Sequence, residues 1–296
     1  MLLPTPAEFS FPLSLEYLRR SPQELLHELR GDAVVKALKA TGEVVVFRVT
    51  AQKEGLSISF LTSAPGSPET LRQVSDYVRE WFDLETDLKP FYAMAANDKL
   101  LRDLVTRYHG YRIVGQPDLF ESLIWAVLGQ QINLGFAYTL KERFVRTFGE
   151  KITLDHGEYF LFPSPHSVAV LRPEQLVPLQ FSRQKSRYTI GIAEAFASGV
   201  VSKERLKTMP LAEAKRELMQ IKGIGNWTAN YALMKTFRHP DAFPLEDAGL
   251  HNAIRNLKKL KTKPTPAQVA RIFIKYKGWE AYATLYLWKS LGKNDE

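Results

Sequence analysis

Apolar positions along the chain fall into two regimes. Between Glu43 and Ala51 runs Glu-Val-Val-Val-Phe-Arg-Val-Thr-Ala, rich in β-branched residues, and from Leu56 the apolar positions alternate through Ile58 to Phe60. Gly42 precedes this pair and Gly55 separates its members, so two antiparallel strands joined by a tight turn are predicted. Upstream, Leu18, Leu25, Leu26, Leu29 and Val34 recur at helical spacing and predict helix across Ser14 to Lys39, interrupted near Ser21-Pro22. Pro65-Gly-Ser-Pro68 closes the strand pair, and Glu69 to Phe82 returns to a helical pattern. The expectation for residues 1–84 is therefore a small α/β unit, an antiparallel sheet covered on one side by helices.

From Asp87 onward strand signals fade and helices dominate. Leu119 to Phe148 is a long amphipathic pattern around Phe120, Leu123, Ile124, Val127, Leu128 and Ile132, broken near Gly129-Gln-Gln-Ile-Asn133. Short helices are predicted at Ser164–Leu171, Glu174–Leu179, Arg183–Ala197, Ser202–Thr208 and Leu211–Gln220, with Ser164 and Ser202 placed as caps. A last apolar helix is predicted from Trp279 to Leu291, so the fold class is mainly α after a small α/β start.

Composition narrows the chemistry. There is no cysteine, which excludes disulfides, thiolate zinc sites, cysteine nucleophiles and cysteine-held iron–sulfur clusters. The six histidines are scattered without i,i+4 pairing, and no catalytic metal is expected. No stretch reaches the roughly 18–20 apolar residues of a membrane span, and prolines and a glutamate interrupt the first twenty residues. A soluble cytoplasmic protein is the expectation. Lys and Arg exceed Asp and Glu by 40 to 32, a net charge of +8, which fits a polyanion partner without requiring one. Arg255 to Lys277 holds Arg255, Lys258, Lys259, Lys261, Lys263, Arg271, Lys275 and Lys277 with no acid. That run reads equally as a solvated face or as a phosphate-facing surface, and the latter predicts salt-sensitive DNA binding.

The informative segment is 218–235, Leu-Met-Gln-Ile-Lys-Gly-Ile-Gly-Asn-Trp-Thr-Ala-Asn-Tyr-Ala-Leu-Met-Lys. A helix ends near Ile221, Gly223-Ile224-Gly225 turns the chain, and a second helix begins near Asn226. Two glycines let the backbone turn through positive φ while Ile224 plugs the angle between the helices. The new helix start presents unpaired N–H groups beside a positive dipole end, which suits a phosphate. By itself the segment is equally a plain helix-turn-helix connector. Pro244-Leu-Glu-Asp247 comes next, with a helix from about Asp247; such an aspartate is either an N-cap, contributing about 1 kcal/mol, or a catalytic carboxylate in the same place.

Taken together, Ile221-Lys-Gly-Ile-Gly-Asn-Trp-Thr-Ala229 and Pro244-Leu-Glu-Asp247 resemble the helix-hairpin-helix DNA glycosylase superfamily. Pro117 to Asn133 (Pro-Asp-Leu-Phe-Glu-Ser-Leu-Ile-Trp-Ala-Val-Leu-Gly-Gln-Gln-Ile-Asn) and Phe82-Asp-Leu-Glu-Thr-Asp-Leu88 narrow the resemblance to bacterial DNA-3-methyladenine glycosylase II. It covers about residues 82–291; the first 80 match in layout only. The resemblance implies a glycosylase region at 85–296, with a central lobe at about 116–230 and a second lobe from 85–115 plus 231–296.

It further implies Asp247 as the catalytic carboxylate at the sugar, in preference to Glu246, and Trp227, Trp288 and Tyr231 as the base pocket. Gly223, Ile224, Gly225 and Thr228 would hold DNA, and Gln131 would fill the gap left by the extruded base, where the subfamily's familiar form is apolar. Relatives that nick the strand carry a lysine where this chain has Trp227, so hydrolysis without strand cleavage is implied. No cofactor is implied; a monovalent cation bridging the Gly223 and Gly225 carbonyls to a phosphate would be structural. The implied partner is double-stranded DNA with a damaged base, met by a monomer. A glycosylase of oxidised or deaminated bases would change the pocket and keep Asp247, whereas a non-catalytic binder would have no use for a carboxylate facing phosphates. Trp81, Trp125 and Trp279 are expected to be structural.

Overall fold

In the computed structural model, which describes residues 1–292, the first sixty residues form a five-stranded antiparallel sheet. Its strands are β1 (Leu2–Leu3), β2 (Glu28–Arg30), β3 (Ala33–Ala40), β4 (Glu43–Gln52) and β5 (Gly55–Phe60), in the order β1-β5-β4-β3-β2. β3 and β4 pair from Ala33↔Thr50 to Ala40↔Glu43 across a two-residue turn, Thr41-Gly42, whose φ values of 47° and 81° suit the twist of a hairpin. The β4–β5 pair stands where the alternating pattern placed it, with Phe47 opposite Phe60.

The predicted helix across Ser14 to Lys39 is corrected. Helix covers only Phe11–Leu18, and residues 28–40 are β2 and β3. Val34, Val35, Lys36 and Ala37 are all buried, so β3 shows a continuous buried run instead of alternation, and its Val34 extends the helical spacing of the leucines upstream of the strand. The sheet is also covered on both sides. Val34, Val45, Phe47, Val49, Leu56 and Ile58 pack on the helices Phe11–Leu18 and Pro68–Trp81. On the other face Val35, Ala37 and Val46 meet Tyr159 of a second hairpin, β6 (Glu150–Leu154) and β7 (Gly157–Leu161), which sits inside the region expected to be helical.

The remainder is helical around one large core. The Leu119–Gly129 helix is buried from Leu119 to Leu128 and packs against the helices Arg183–Ala197 and Asn226–Phe237. Side-chain caps fix the starts: Asp118 accepts from Glu121 N (3.0 Å), Asn133 from Phe136 N (2.8 Å) and Ser182 from Lys185 N (3.2 Å). Ser164 and Ser202 cap Pro165–Ala169 and Lys203–Lys207.

A buried ion triad joins the sheet region to the helices. Lys141 Nζ lies 3.0 Å from Glu24 Oε2 and 3.1 Å from Glu121 Oε1. Burial raises the Glu24 carboxyl, but the Lys141 ammonium and the His27 ring outweigh that and hold it at about 2.

Candidate active site

The Leu211–Met219 helix ends shortly before the turn. Gly223 has φ +101° and lies against the ring of Tyr188, so a side chain there meets both a backbone and a packing obstacle. Gly225 is different: its φ is −91°, an extended conformation, and the space where a Cβ would project is open. Only one of the two hairpin glycines therefore uses positive φ. Ile224 is buried in the helical core, as a plug between the two helices requires. Thr228 is buried as well, and its Oγ1 accepts from Gln130 Nε2 (3.0 Å), which also donates to Gly223 O (3.1 Å). The Gly223 carbonyl thus already has one donor, and the Gly225 carbonyl accepts from Ala229 N (3.0 Å).

The Asn226–Phe237 helix starts beside the Pro244–Asp247 turn. Asp247 N donates to Pro244 O (2.9 Å), and Oδ1 caps the Ala248–Leu257 helix by accepting from Leu250 N (2.7 Å). Two indoles meet the same carboxylate. Trp288 Nε1 donates to Oδ1 (2.7 Å), and Trp227 Nε1 donates to Oδ2 (3.0 Å). The cap and the candidate catalytic group are one side chain, with charge-assisted donors on both oxygens.

Gly249 makes this geometry feasible. A Cβ there would stand 3.1 Å from Asp247 Oδ1 and 3.4 Å from Trp288 Nε1, inside the contact itself. Glu246 is turned away: both of its oxygens accept from Asn226 Nδ2, at 2.9 and 3.0 Å. Asn230 ties the two segments together, donating to Asn226 O (2.9 Å) and accepting from Phe243 N (3.2 Å). His251 supports the turn from behind, its ring nitrogens 2.9 Å from Pro264 O and 2.7 Å from Leu245 O.

Trp227 stacks on Tyr231 with ring centroids 5.3 Å apart and planes at 24°. Tyr231 Oη in turn accepts from Trp125 Nε1 (2.9 Å), and Trp125 packs on Tyr138 at 4.7 Å. Burial pushes the Tyr231 hydroxyl well above the usual tyrosine range, so it stays neutral. Trp125 therefore backs the aromatic wall, while Trp81 belongs to the sheet core and Trp279 packs on Phe91.

Gln131 is exposed at the tip between the helices Leu119–Gly129 and Leu134–Phe148, with a left-handed φ of 59°. Lys258, Lys259, Lys261 and Lys263 are exposed beyond the carboxyl end of the Ala248–Leu257 helix. At a rise of about 1.5 Å per residue that is roughly 16 Å along the axis from Asp247, so this basic run lies at the opposite end of the aspartate's own helix. Among the described residues no group of three or more His, Asp or Glu is arranged to hold a metal ion, and no helix is long and apolar enough to cross a membrane.

Sequence reasoning missed two parts of this site: Gly249, whose lack of a side chain admits Trp288, and Gln130, which reaches Gly223 and Thr228 through tertiary contacts. What the assembled residues can do is place a carboxylate, fixed by two indoles and a helix start, beside aromatic surface and a second helix N-terminus.

Residues 124–277 match the family described as HhH-GPD superfamily base excision DNA repair protein, and residues 25–123 match the 8-oxoguanine DNA glycosylase N-terminal domain. A Bacillus subtilis protein named DNA-3-methyladenine glycosylase is 41% identical over 98% of this chain and 97% of its own. The solved 3-methyladenine DNA-glycosylase of Archaeoglobus fulgidus superposes with a TM-score of 0.84 over 99% of this chain and 98% of that one, at 21% identity, a likeness of fold. A Schizosaccharomyces pombe 3-methyladenine DNA glycosylase, solved in complex with abasic DNA, is 27% identical over 70% of this chain and 99% of that one, with a TM-score of 0.61.

Proposed function

The chain belongs to the HhH-GPD superfamily of base excision DNA repair proteins, and we propose that it is a monofunctional glycosylase that removes alkylated bases, of the 3-methyladenine kind, from duplex DNA. The observation that carries this reading is Asp247, a carboxylate held by Trp227 and Trp288 at the start of a helix beside the hairpin.

The hairpin amides from Gly225 onward take a DNA phosphate, since the first N–H groups of the Asn226–Phe237 helix have no partner within its ladder and the space beside Gly225 is open. The damaged nucleotide leaves the stack, and its base enters beside the Trp227 indole of the central lobe (116–230) and the Asp247 carboxylate of the second lobe (85–115 plus 231–296), leaving the hydrogen bond between them intact, with Tyr231 behind. An alkylated purine carries positive charge, which the indole faces attract.

The C1′–N bond then breaks with its electron pair going to the base, and positive charge develops at the sugar. The Asp247 carboxylate stabilises that charge, and water adds to C1′ with loss of a proton. The indole N–H groups hold the carboxylate in place and keep it from swinging into its capping role alone. Trp227 supplies no amine, so no Schiff base forms and the strand is left intact at an abasic site. A monovalent cation at the hairpin would use the second lone pair of Gly223 and would be structural; no step depends on it.

Asp247→Asn tests the reading. Asparagine caps a helix as well as aspartate does, so folding is retained while the charge is lost. Release of alkylated bases from duplex DNA is expected to fall by about a thousandfold, with duplex binding kept. Base release at the wild-type rate would overturn the assignment, and release of oxidised bases only would favour the 8-oxoguanine branch that the amino-terminal match suggests.

A further inference from the structure

Lys185 lies in the first turn of the Arg183–Ala197 helix, yet its side chain runs inward. Its ammonium donates to Val127 O (2.8 Å), Leu128 O (2.8 Å) and Gln130 O (2.7 Å). These carbonyls close the carboxyl end of the Leu119–Gly129 helix, where the orphan acceptors and the negative dipole end favour a cation. No carboxylate shares the site, and burial alone pushes the ammonium down to about 8. A lysine buried at this cost without an acidic partner is placed for those carbonyls.

The residue directly after these carbonyls, Gln131, is conformationally unusual. It holds a left-handed φ of 59° without being glycine, a conformation that persists only where surroundings over-determine it. Gln130 meanwhile reaches across to Gly223 O and Thr228 Oγ1, in the turn proposed to grip a phosphate. One residue of the loop is therefore bonded to the hairpin, its backbone is held by Lys185, and the adjacent residue is left exposed to solvent.

We propose that Lys185 is a positioning residue for DNA distortion: with Gln130 it locks the Gln131 loop to the hairpin, so that the phosphate grip and the gap-filling side chain act as one rigid piece. This rests on the glycosylase reading and on Gln131 as the gap-filler. Lys185 touches no DNA. Its effect is felt where a gap opposite an orphaned base has to be filled within stacked duplex, as at a paired lesion or an abasic analogue, because a base already unpaired in a bubble needs no wedge.

The experiment compares Lys185→Met, Gln130→Leu, Gln131→Ala and the Lys185→Met/Gln131→Ala pair. Single-turnover base release is measured with the alkylated base paired in duplex and, separately, within an unpaired bubble of the same sequence. Affinity is measured for a duplex carrying a tetrahydrofuran abasic analogue, which needs no chemistry. Expected are losses of about ten- to a hundredfold on the paired lesion for each single variant, weaker analogue binding, and a clearly smaller loss on the bubble lesion.

The double variant is expected to be no worse than Lys185→Met, because both changes remove one device. Equal losses on paired and bubble lesions would overturn the proposal, as would full additivity or a Gln131→Ala protein with unchanged analogue binding. If Lys185→Met fails to fold, Gln130→Leu breaks the same lock from its other end and decides the matter by the same readouts. A wild type that binds the analogue but releases no base would sink the glycosylase reading instead, leaving the lock to be judged by analogue affinity.

Discussion

The indole nitrogen of Trp288 stands 2.7 Å from Oδ1 of Asp247, forty-one residues away, on the oxygen that also caps the Ala248–Leu257 helix. The ring is therefore fixed edge-on to the carboxylate while it packs, half-buried, against the cluster of Trp125, Tyr138 and Tyr231, and the gap in which it sits exists because residue 249 is glycine. Donating and stacking are two separable jobs of one side chain.

Trp288→Phe separates them, since phenylalanine keeps a flat apolar face and loses the N–H. Single-turnover base release is expected to drop by about tenfold, the size of one charge-assisted hydrogen bond, with binding to an abasic analogue little changed. Trp288→Ala loses the face too and is expected to be slower still. Equal rates for Trp288→Phe and wild type would show that the indole N–H plays no part in base release.

The indole nitrogen of Trp227, 3.0 Å from Asp247 Oδ2, is a donor without nucleophilic character. Wild-type protein incubated with alkylated duplex and borohydride is expected to give no covalent adduct, and the strand is expected to stay whole until hot alkali is added. A trapped adduct on a denaturing gel would contradict the assignment.

Glu24 gives a pH signature. Its carboxyl sits at about 2 in the fold against 4.5 for the free group. A depressed carboxylate contributes stability that is fully present above about pH 4.5 and is lost as pH falls toward 2. Between about pH 6 and pH 3 the wild type is expected to lose about 2 kcal/mol from this group. Glu24→Gln is expected to lower stability near neutrality by about 3 kcal/mol, since Lys141 loses one of its two carboxylates, and to flatten the acid limb. Denaturant titrations at several pH values measure both, and an unchanged slope of stability against pH would refute the ion-triad argument.

How much of the molecule is readable in the chain depends on the range of the interaction. The hairpin and the aspartate turn are legible because backbone geometry writes glycine and proline into short segments: Gly223 at positive φ, Pro244 before the Asp247 cap. β3 is not, because Val34 to Ala37 are buried on both faces, which erases the period-two signal and lets Val34 read as a continuation of the helically spaced leucines before it. β6 and β7 escape notice because a five-residue hairpin arm in a helical region carries too few positions to show alternation. Lys185 is invisible for a different reason: nothing in Arg183-Gln-Lys-Ser says that one lysine turns inward to meet carbonyls 55 to 58 residues earlier. The resemblance names Trp227 and Trp288 together, but that their nitrogens share one carboxylate emerges only from the packing.

The two hairpin glycines supply the last prediction, because they are glycine for different reasons. Gly223 has φ +101° and lies on the Tyr188 ring, so Gly223→Ala meets strain and a clash and is expected to destabilise the fold by about 2 kcal/mol or more. Gly225 has an ordinary extended backbone and open space before it, so nothing in the protein opposes a methyl group there. Gly225→Ala is therefore expected to melt within a degree or two of wild type. If a phosphate approaches the amides of this helix start, however, the methyl group stands in its path, and affinity for an abasic duplex should fall by about tenfold with a shallower salt dependence. A Gly225→Ala protein that melts normally and binds duplex as tightly as wild type would show that the DNA backbone does not come to this turn. Lowered melting with unchanged binding would show the same, and would return the hairpin to the role of a connector between two helices.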